Sequence, residues 1–207
     1  MRATKTALFE AAKRWEAGAV RVIATAMPSL ALATDPKGRT ALHIACAVDP
    51  KGASLGEKDG TRTAAALLAT GAALEAFVPM PEDEGDFRAN PLWYAASRGR
   101  NLPLVRFLLK QGADPSYSLW TAVFQNDAPL MRVLLAARPR LNLVAHGETP
   151  IFYAARLKRL NVLPLLIEAG ADPAIRDPKG RDAVDIARAR RLPKPLIERL
   201  AALKARG

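Results

Sequence analysis

Residues 38–45 read Gly-Arg-Thr-Ala-Leu-His-Ile-Ala, and residues 180–187 read Gly-Arg-Asp-Ala-Val-Asp-Ile-Ala. Each stretch follows Asp-Pro-Lys, so Asp-Pro-Lys-Gly-Arg occurs at 35–39 and again at 177–181. Between them, Pro-Leu-Trp-Tyr-Ala-Ala at 91–96 and Pro-Ile-Phe-Tyr-Ala-Ala at 150–155 have the same pattern. Such self-similarity predicts a chain of small repeats, each of which buries its apolar face by stacking on its neighbours.

The composition is that of a soluble folded chain with a strong positive charge. The 207 residues are 50% hydrophobic and 25% charged, with a net charge of +11 and a pI near 10.3. This balance favours an acidic partner, whether a protein surface, a nucleic acid or a lipid headgroup layer. The single cysteine, Cys46, has no cysteine with which to form a disulfide or a metal cluster, which suggests a core residue in a reducing compartment.

Two features bear on membranes and secretion. The longest uncharged stretch, 22–34, contains Pro28 and is too short to span a bilayer. Ala-Leu-Ala at 31–33 has the form of a signal-peptide cleavage site, but the preceding segment is long and carries Glu10 and Glu16. We therefore expect a cytoplasmic protein without a membrane span, and delivery as an effector stays open.

Each repeat is predicted to start with an inner helix. A reference apolar residue is followed three and four positions later by small residues, which places them on one helical face where neighbouring helices can approach closely. The reference residues are Leu8, Leu42, Leu92, Leu119, Ile151 and Val184, and the predicted N-caps are Thr6, Thr40, Asn90, Thr149 and Asp182.

A second apolar set follows most inner helices and predicts an outer helix. Three of these helices end in Gly-Ala, at Gly71, Gly112 and Gly170, where glycine can take the left-handed conformation that closes a helix. The second repeat has an enlarged turn at 49–60, and the fourth has too short a connector for a hairpin. An acidic stretch, 82–86, is predicted to be a solvated hairpin tip, and the alternative is that it folds over a basic groove and competes with the ligand.

These motifs resemble the ankyrin repeat family. The family pattern Gly-x-Thr-Pro-Leu-His-x-Ala-Ala is met most closely at 147–155, and its Val-x-x-Leu-Leu-x-x-Gly-Ala at 105–113. The resemblance implies an all-α ankyrin-repeat solenoid of stacked helix-turn-helix units with short hairpin or loop connectors. It would form a single domain over 1–207, with units near 4–34, 35–76, 77–115, 116–142, 143–174 and 175–207. The composition, rich in alanine and arginine, points to a bacterial source.

The resemblance also implies a binding surface. In the family, residues after the small pair of the inner helix and residues around the hairpin turn face a concave groove. Mapped onto this chain, the candidate partner-binding residues are Arg14, Lys37, Arg39, Phe87, Arg98, Phe124, Gln125, Arg156, Leu157, Lys179, Arg181 and Arg190. Arginine beside exposed aromatic residues is typical of protein interfaces.

The leading hypothesis is a non-enzymatic, monomeric protein-binding module, an adaptor or inhibitor whose basic groove docks an acidic protein. The alternatives are a nucleic-acid-binding ankyrin protein and a secreted ankyrin effector that acts by protein binding. We predict no catalytic residues, metal or cofactor, because His43 and His146 have no partners at the spacing of a triad or a ligand set.

Overall fold

The computed structural model describes residues 2–79 and 88–206, and they form helices joined by turns and one short hairpin. The helices are α1 (Lys5–Lys13), α2 (Ala17–Ala26), α3 (Ala41–Cys46), α4 (Pro50–Ala53), α5 (Glu57–Ala69), α6 (Pro91–Ser97), α7 (Leu102–Lys110), α8 (Ser118–Gln125), α9 (Ala128–Ala136), α10 (Pro150–Arg156), α11 (Leu163–Glu168), α12 (Ala183–Ala189) and α13 (Lys194–Lys204), with a 3-10 helix at Pro28–Leu32. Strands β1 (Val78–Pro79) and β2 (Arg88–Ala89) pair antiparallel, with Val78 opposite Ala89. The predicted helix-turn-helix repeats and short hairpin connectors are confirmed.

The chain forms two compact units, Met1–Asp114 and Pro115–Gly207. In the N-terminal unit, the inner helices α1, α3 and α6 pack in a row, and the outer helices α2, α5 and α7 pack behind them. In the C-terminal unit, α8, α10 and α12 form the inner row, and α9, α11 and α13 the outer one. The assignment of 1–207 to one domain, with the residue limits of its six repeats, stays a prediction.

The predicted core positions are buried. The six reference residues of the inner helices are at most 2% exposed, and the small pairs that follow them in the first five repeats are at most 3% exposed. Small side chains let neighbouring helices pack closely, so removing or enlarging them disturbs two repeats at once. Cys46 belongs to one of these pairs, and burial raises the pKa of its thiol.

Four of the five predicted N-caps are confirmed. The side chains of Asn90, Thr149 and Asp182 each accept a hydrogen bond from a backbone N–H in the first turn of their helix, and Thr40 forms a capping box with His43. The prediction of Thr6 is wrong, since it lies inside α1. The N-cap is Thr4, whose backbone is extended and whose hydroxyl accepts from the N–H of Ala7 at 3.2 Å.

The enlarged turn of the second repeat is shorter than predicted. Helix α5 already begins at Glu57, and the short helix α4 fills part of the remaining connection. Gly60 allows this early start: a Cβ at that position would lie 2.8 Å from the Trp15 ring, so only glycine lets the helix pass against the indole. The buried indole N–H donates to the carbonyl of Ala45 at 2.8 Å and joins the first two repeats.

The predicted helix stops adopt the left-handed backbone. Gly71, Gly112 and Gly170 have φ of 95°, 94° and 81°, and Arg138 takes the corresponding place in the fourth repeat with φ of 55°. Glycine carries no steric penalty there, whereas arginine does.

A recurring side-chain link joins the repeats within each compact unit. In each link, a side-chain oxygen of one repeat accepts a hydrogen bond from a backbone N–H of the next repeat. The acceptor lies four positions after the left-handed residue that ends its outer helix, and the N–H lies two positions after the left-handed residue that ends the next outer helix. The links run from Asp114 N–H to Glu75 Oε1 (2.9 Å), from Arg140 N–H to Ser116 Oγ (3.0 Å) and from Asp172 N–H to Asn142 Oδ1 (2.8 Å). Each link satisfies a connector N–H that no helix or sheet ladder uses.

Candidate functional site

The two Asp-Pro-Lys-Gly-Arg segments form the same tight turn. The Asp35 carboxylate accepts from the backbone N–H groups of Lys37 and Arg39 at 2.9 Å each, and from Arg39 Nε at 2.8 Å. Gly38 completes the turn with φ of 75°. Burial alone would raise the pKa of Asp35, but the hydrogen bonds from Arg39 and from the backbone hold it below its ordinary value.

The second copy of the turn repeats these contacts. Asp177 accepts from the N–H groups of Lys179 and Arg181, and the Arg181 guanidinium lies 2.6 Å from its carboxylate. The hydrogen bonds from Arg181 lower the pKa of Asp177. The two turn arginines are therefore held by their own aspartates, whereas Lys37 and Lys179 are exposed.

In the N-terminal unit, the candidate arginines at the ends of the inner helices are exposed. Arg14 lies 3.6 Å from Glu10, and both side chains are more than half exposed, so the pair is weak. Arg98 places its guanidinium carbon 6.0 Å from the centre of the Tyr94 ring. Tyr94 is buried and also meets the rings of His43 and Trp93 edge-on, which gives this arginine a rigid aromatic base.

The C-terminal unit repeats the arginine-on-tyrosine contact. The guanidinium carbon of Arg156 lies 5.0 Å from the centre of the Tyr153 ring, and Arg156 Nε lies 2.7 Å from Glu148. The other helix-end candidates of the C-terminal unit differ in solvent exposure: Phe124 is 63% exposed, Arg190 is exposed, and Gln125 and Leu157 are half-buried.

Two sequence predictions fall outside the described residues. Phe87 was a candidate for partner binding, and the acidic stretch 82–86 a candidate competitor for the groove. Neither is tested by the structure.

An open pocket in the N-terminal unit was missed at the sequence level. It has a volume of about 670 Å³ and an apolar floor that includes Phe9, Ile44 and Val48. Charged residues of both signs line it, among them Glu10, Lys13, Asp35, Arg39 and Asp49. One wall comes from α4, which the sequence pattern did not predict as a helix. The lining carries three carboxylates and two cations, so this part of the surface is not simply basic.

His43 is part of the scaffold. Its Nδ1 accepts from the Thr40 N–H at 3.1 Å, and its Nε2 donates to the carbonyl of Ala76 at 2.9 Å. Burial lowers its pKa to about 4, so the ring is neutral at physiological pH. In the last repeat Asp185 takes the histidine position and accepts from the Asp182 N–H, which preserves the capping box without the ring.

Comparison with known proteins identifies the repeat. A model of three consecutive ankyrin repeats matches residues 92–177. An ankyrin repeat domain from Acinetobacter baumannii AYE superposes with a TM-score of 0.71 at 24% identity, over 95% of this chain and 96% of that one. Residues 92–177 are ankyrin repeats, and the chain has the fold of an ankyrin repeat domain.

Further similarities support the fold. The ankyrin repeat domain of Bcl-3, a member of the IkappaB protein family, superposes with a TM-score of 0.63 at 21% identity, over 94% of this chain and 97% of that one. The ankyrin repeat protein EF0377 does so with a TM-score of 0.65 at 22% identity, over 98% of each chain.

Sequence relatives match only parts of the chain. E3 ubiquitin-protein ligase KEG of Arabidopsis thaliana is 34% identical over 93 residues, and putative ankyrin repeat protein FPV242 of Fowlpox virus (strain NVSL) is 35% identical over 77 residues. These matches cover 41% and 35% of this chain, but only 6% and 22% of the relatives' lengths.

The ankyrin repeat is a general protein–protein interaction module and typically has no catalytic role. Within residues 2–79 and 88–206, no three metal-ligating side chains are grouped where they could hold an ion. Over the same residues, every helix is too short or too polar to cross a bilayer.

Proposed function

We propose that this ankyrin-repeat chain binds a protein partner through the ends of its inner helices, and that the partner presents an acidic segment there. The observation that supports this most directly is the arginine-on-tyrosine contact, which occurs in both compact units, at Arg98 and at Arg156. Arginine and tyrosine are enriched among residues that carry most of the binding energy at protein interfaces. An aromatic base also restricts the arginine before binding, so less side-chain entropy is lost in the complex.

The charge of the neighbouring residues favours carboxylates in the partner. Arg14, Arg98 and Arg190 are exposed, and the chain carries a net charge of +11. A partner of opposite charge associates faster because the long-range field steers the encounter, and salt weakens this effect. The exposed ring of Phe124 offers an apolar contact in the C-terminal unit.

The turn arginines take a different role in this proposal. Arg39 and Arg181 already pair with aspartates that also fix the turn backbone. Breaking those pairs to bind a partner would expose two carboxylates that accept several hydrogen bonds, which is costly. In this proposal the partner therefore contacts the helix ends and Lys37 and Lys179. The turn arginines Arg39 and Arg181 stabilise the conformation of the turns.

The proposal also covers the setting of the protein. It describes a monomeric, non-enzymatic adaptor or inhibitor in the cytoplasm of a bacterium. It rests on the common use of ankyrin repeats, on the alanine- and arginine-rich composition and on the single buried Cys46.

A charge-reversed pair of triple variants tests the surface. The first replaces Arg14, Arg98 and Arg190 by Glu, and the matched control replaces Arg21, Arg106 and Arg132 of the outer helices by Glu. Both sets change the net charge equally, and all three control residues are exposed.

Tagged wild type and both variants are used to capture proteins from the source cells, and captured proteins are identified by mass spectrometry. We expect a protein that is retained by wild type and control but lost by the first variant, with thermal unfolding of that variant within a few degrees of wild type. Equal capture by all three chains would contradict the proposed surface.

A further inference from the structure

The turns between the inner and outer helices of the last two repeats carry cations without any acidic residue. Residues 156–164 read Arg-Leu-Lys-Arg-Leu-Asn-Val-Leu-Pro, and residues 186–194 read Ile-Ala-Arg-Ala-Arg-Arg-Leu-Pro-Lys. We refer to five cations in and beside these turns as the turn cluster: Lys158, Arg159, Arg188, Arg190 and Arg191. Four are exposed, and Arg159 is half-buried.

The two turns of the cluster lie side by side. Helices α10 and α12, which lead into them, pack against each other. The hairpin turns before these helices also touch, because a Cβ on Gly147 would lie 2.7 Å from the Pro178 ring. Helices that start together and pack along their lengths also end together, at the usual interaxial separation of about 8–10 Å. The five cations therefore form one patch on one edge of the C-terminal unit.

Among the described residues, the charge of the turn cluster is not neutralised by ion pairs. Across the described residues of the C-terminal unit, no carboxylate forms an ion pair with any of the five cations, and Arg159 Nε is buried without a hydrogen-bond partner. Arg39, Arg156 and Arg181, in contrast, each pair with an acidic side chain.

The backbone of the turn cluster also departs from the usual preference. Lys158 and Arg191 have φ of 53° and 54°, a left-handed conformation that favours glycine or asparagine. Asn126 occupies the matching position in the fourth repeat with φ of 53°. This left-handed turn residue recurs in other repeats, for example at Trp15 with φ of 56° and at Arg100 with φ of 45°, and the last two repeats place a cation there.

We propose that the turn cluster binds the phosphate backbone of a single-stranded nucleic acid, independently of base sequence. Exposed arginines that are not surrounded by apolar residues suit solvated phosphates, which release counterions on binding. A protein interface would need a larger desolvated apolar area, and anchoring on a membrane would need several apolar side chains to insert. In the described part of the cluster, Leu160 is the only large hydrophobic residue that is strongly exposed. A flexible single strand can bring successive phosphates to a patch only two turns wide.

The test is fluorescence anisotropy of a labelled oligo(dT) of about 20 nucleotides, titrated with the full chain between 50 and 200 mM salt. Five phosphate contacts predict a slope of log K against log salt of about −3.5, at about −0.7 for each contact on a single strand. The variant Lys158→Asn/Arg188→Gln/Arg191→Asn should reduce the slope to about −1.4 and weaken binding on the order of 100-fold near 0.1 M salt. Asparagine suits the two left-handed positions, and Arg190 is left in place because the protein-binding proposal uses it.

The control Arg21→Gln/Arg106→Gln/Arg132→Gln removes the same net charge and should stay within about threefold of wild type. Equal weakening by the two variants would show that net charge alone attracts the strand, and would overturn the site. So would absence of binding at 50 mM salt, or binding to phosphatidylserine vesicles in place of oligo(dT). Because the two proposals use different variants and different probes, either can fail without the other.

Discussion

Acidification from pH 7 to pH 5 should destabilise this protein through one residue, His43. The ring is fully buried, accepts from the Thr40 N–H through Nδ1 and donates to the Ala76 carbonyl through Nε2. A second proton can be placed only on Nδ1, where it would face the Thr40 N–H and break the capping box. Burial is the main cause that favours the neutral ring, and it outweighs the hydrogen bond to the Ala76 carbonyl, which raises the pKa.

The size of the effect follows from the difference in pKa between the two states. The pKa of His43 is 6.5 in a free chain and about 4 in the folded protein. Between these values the unfolded chain binds more protons, so the stability from the neutral ring is complete above pH 6.5 and is lost as the pH falls towards 4. At pH 5 the loss is about 2 kcal/mol, from about 1.4 kcal/mol per pH unit over the 1.5 units below 6.5. Carboxylates with lowered pKa, such as Asp35, affect stability only at pH values near and below 3.8.

Urea unfolding at pH 7 and pH 5 measures this loss. Trp15 and Trp93 lie in the same compact unit as His43, so a Trp120→Phe background makes tryptophan fluorescence report on that unit. His43→Gln is less stable at both pH values, but it keeps a capping-box residue without a group that titrates in this range. Its pH-dependent loss should fall below about 0.5 kcal/mol, while the control His146→Asn should keep the full loss of about 2 kcal/mol. An equal loss in His43→Gln and wild type would refute the assignment.

Three further substitutions test the packing by urea unfolding at pH 7. Glu75→Ala should cost about 1–3 kcal/mol because it leaves the Asp114 N–H without its acceptor, and Glu75→Gln should recover at least half of that. Gly99→Ala should cost about 2 kcal/mol or more, since its Cβ would lie 2.3 Å from the carbonyl oxygen of Cys46; a cost below about 0.5 kcal/mol would contradict this close approach. Gly18→Ala in α2 should stabilise by roughly 0.5–1 kcal/mol, because no atom lies within 4 Å of the new methyl group; destabilisation would mean that this face of α2 is covered.

The sequence was sufficient to predict features that depend on neighbours along the chain. The buried small pairs, the helix stops and caps such as Asn90 follow from spacing within one helix, and they are confirmed. Thr4 and Thr6 are equally suitable caps by residue type, so the start of α1 could not be fixed by pattern. The early start of α5 depends on Gly60 fitting against Trp15, a contact between two repeats.

The electrostatic character of the candidate site was harder to predict. The sequence showed Arg39, Arg156 and Arg181 as cations, while the structure pairs each with a carboxylate. For the two turns the signal was present in the sequence, since the aspartate and arginine of Asp-Pro-Lys-Gly-Arg are four residues apart. Glu148 and Arg156 are eight residues apart, and only the fold brings them together.

The links between connectors have a consequence for how such an array changes over time. The carboxylate of Glu75, the hydroxyl of Ser116 and the amide of Asn142 are equivalent in these links, because each oxygen accepts one hydrogen bond from a backbone N–H of the next repeat. Selection on the link would therefore require a side-chain hydrogen-bond acceptor at this position, but not a particular amino acid. The sequences of duplicated repeats can then diverge while the hydrogen bond between them is kept. Ala174 occupies the matching position in the fifth repeat, and its side chain has no hydrogen-bond acceptor. A designer who inserts an extra repeat after it should first restore an acceptor there.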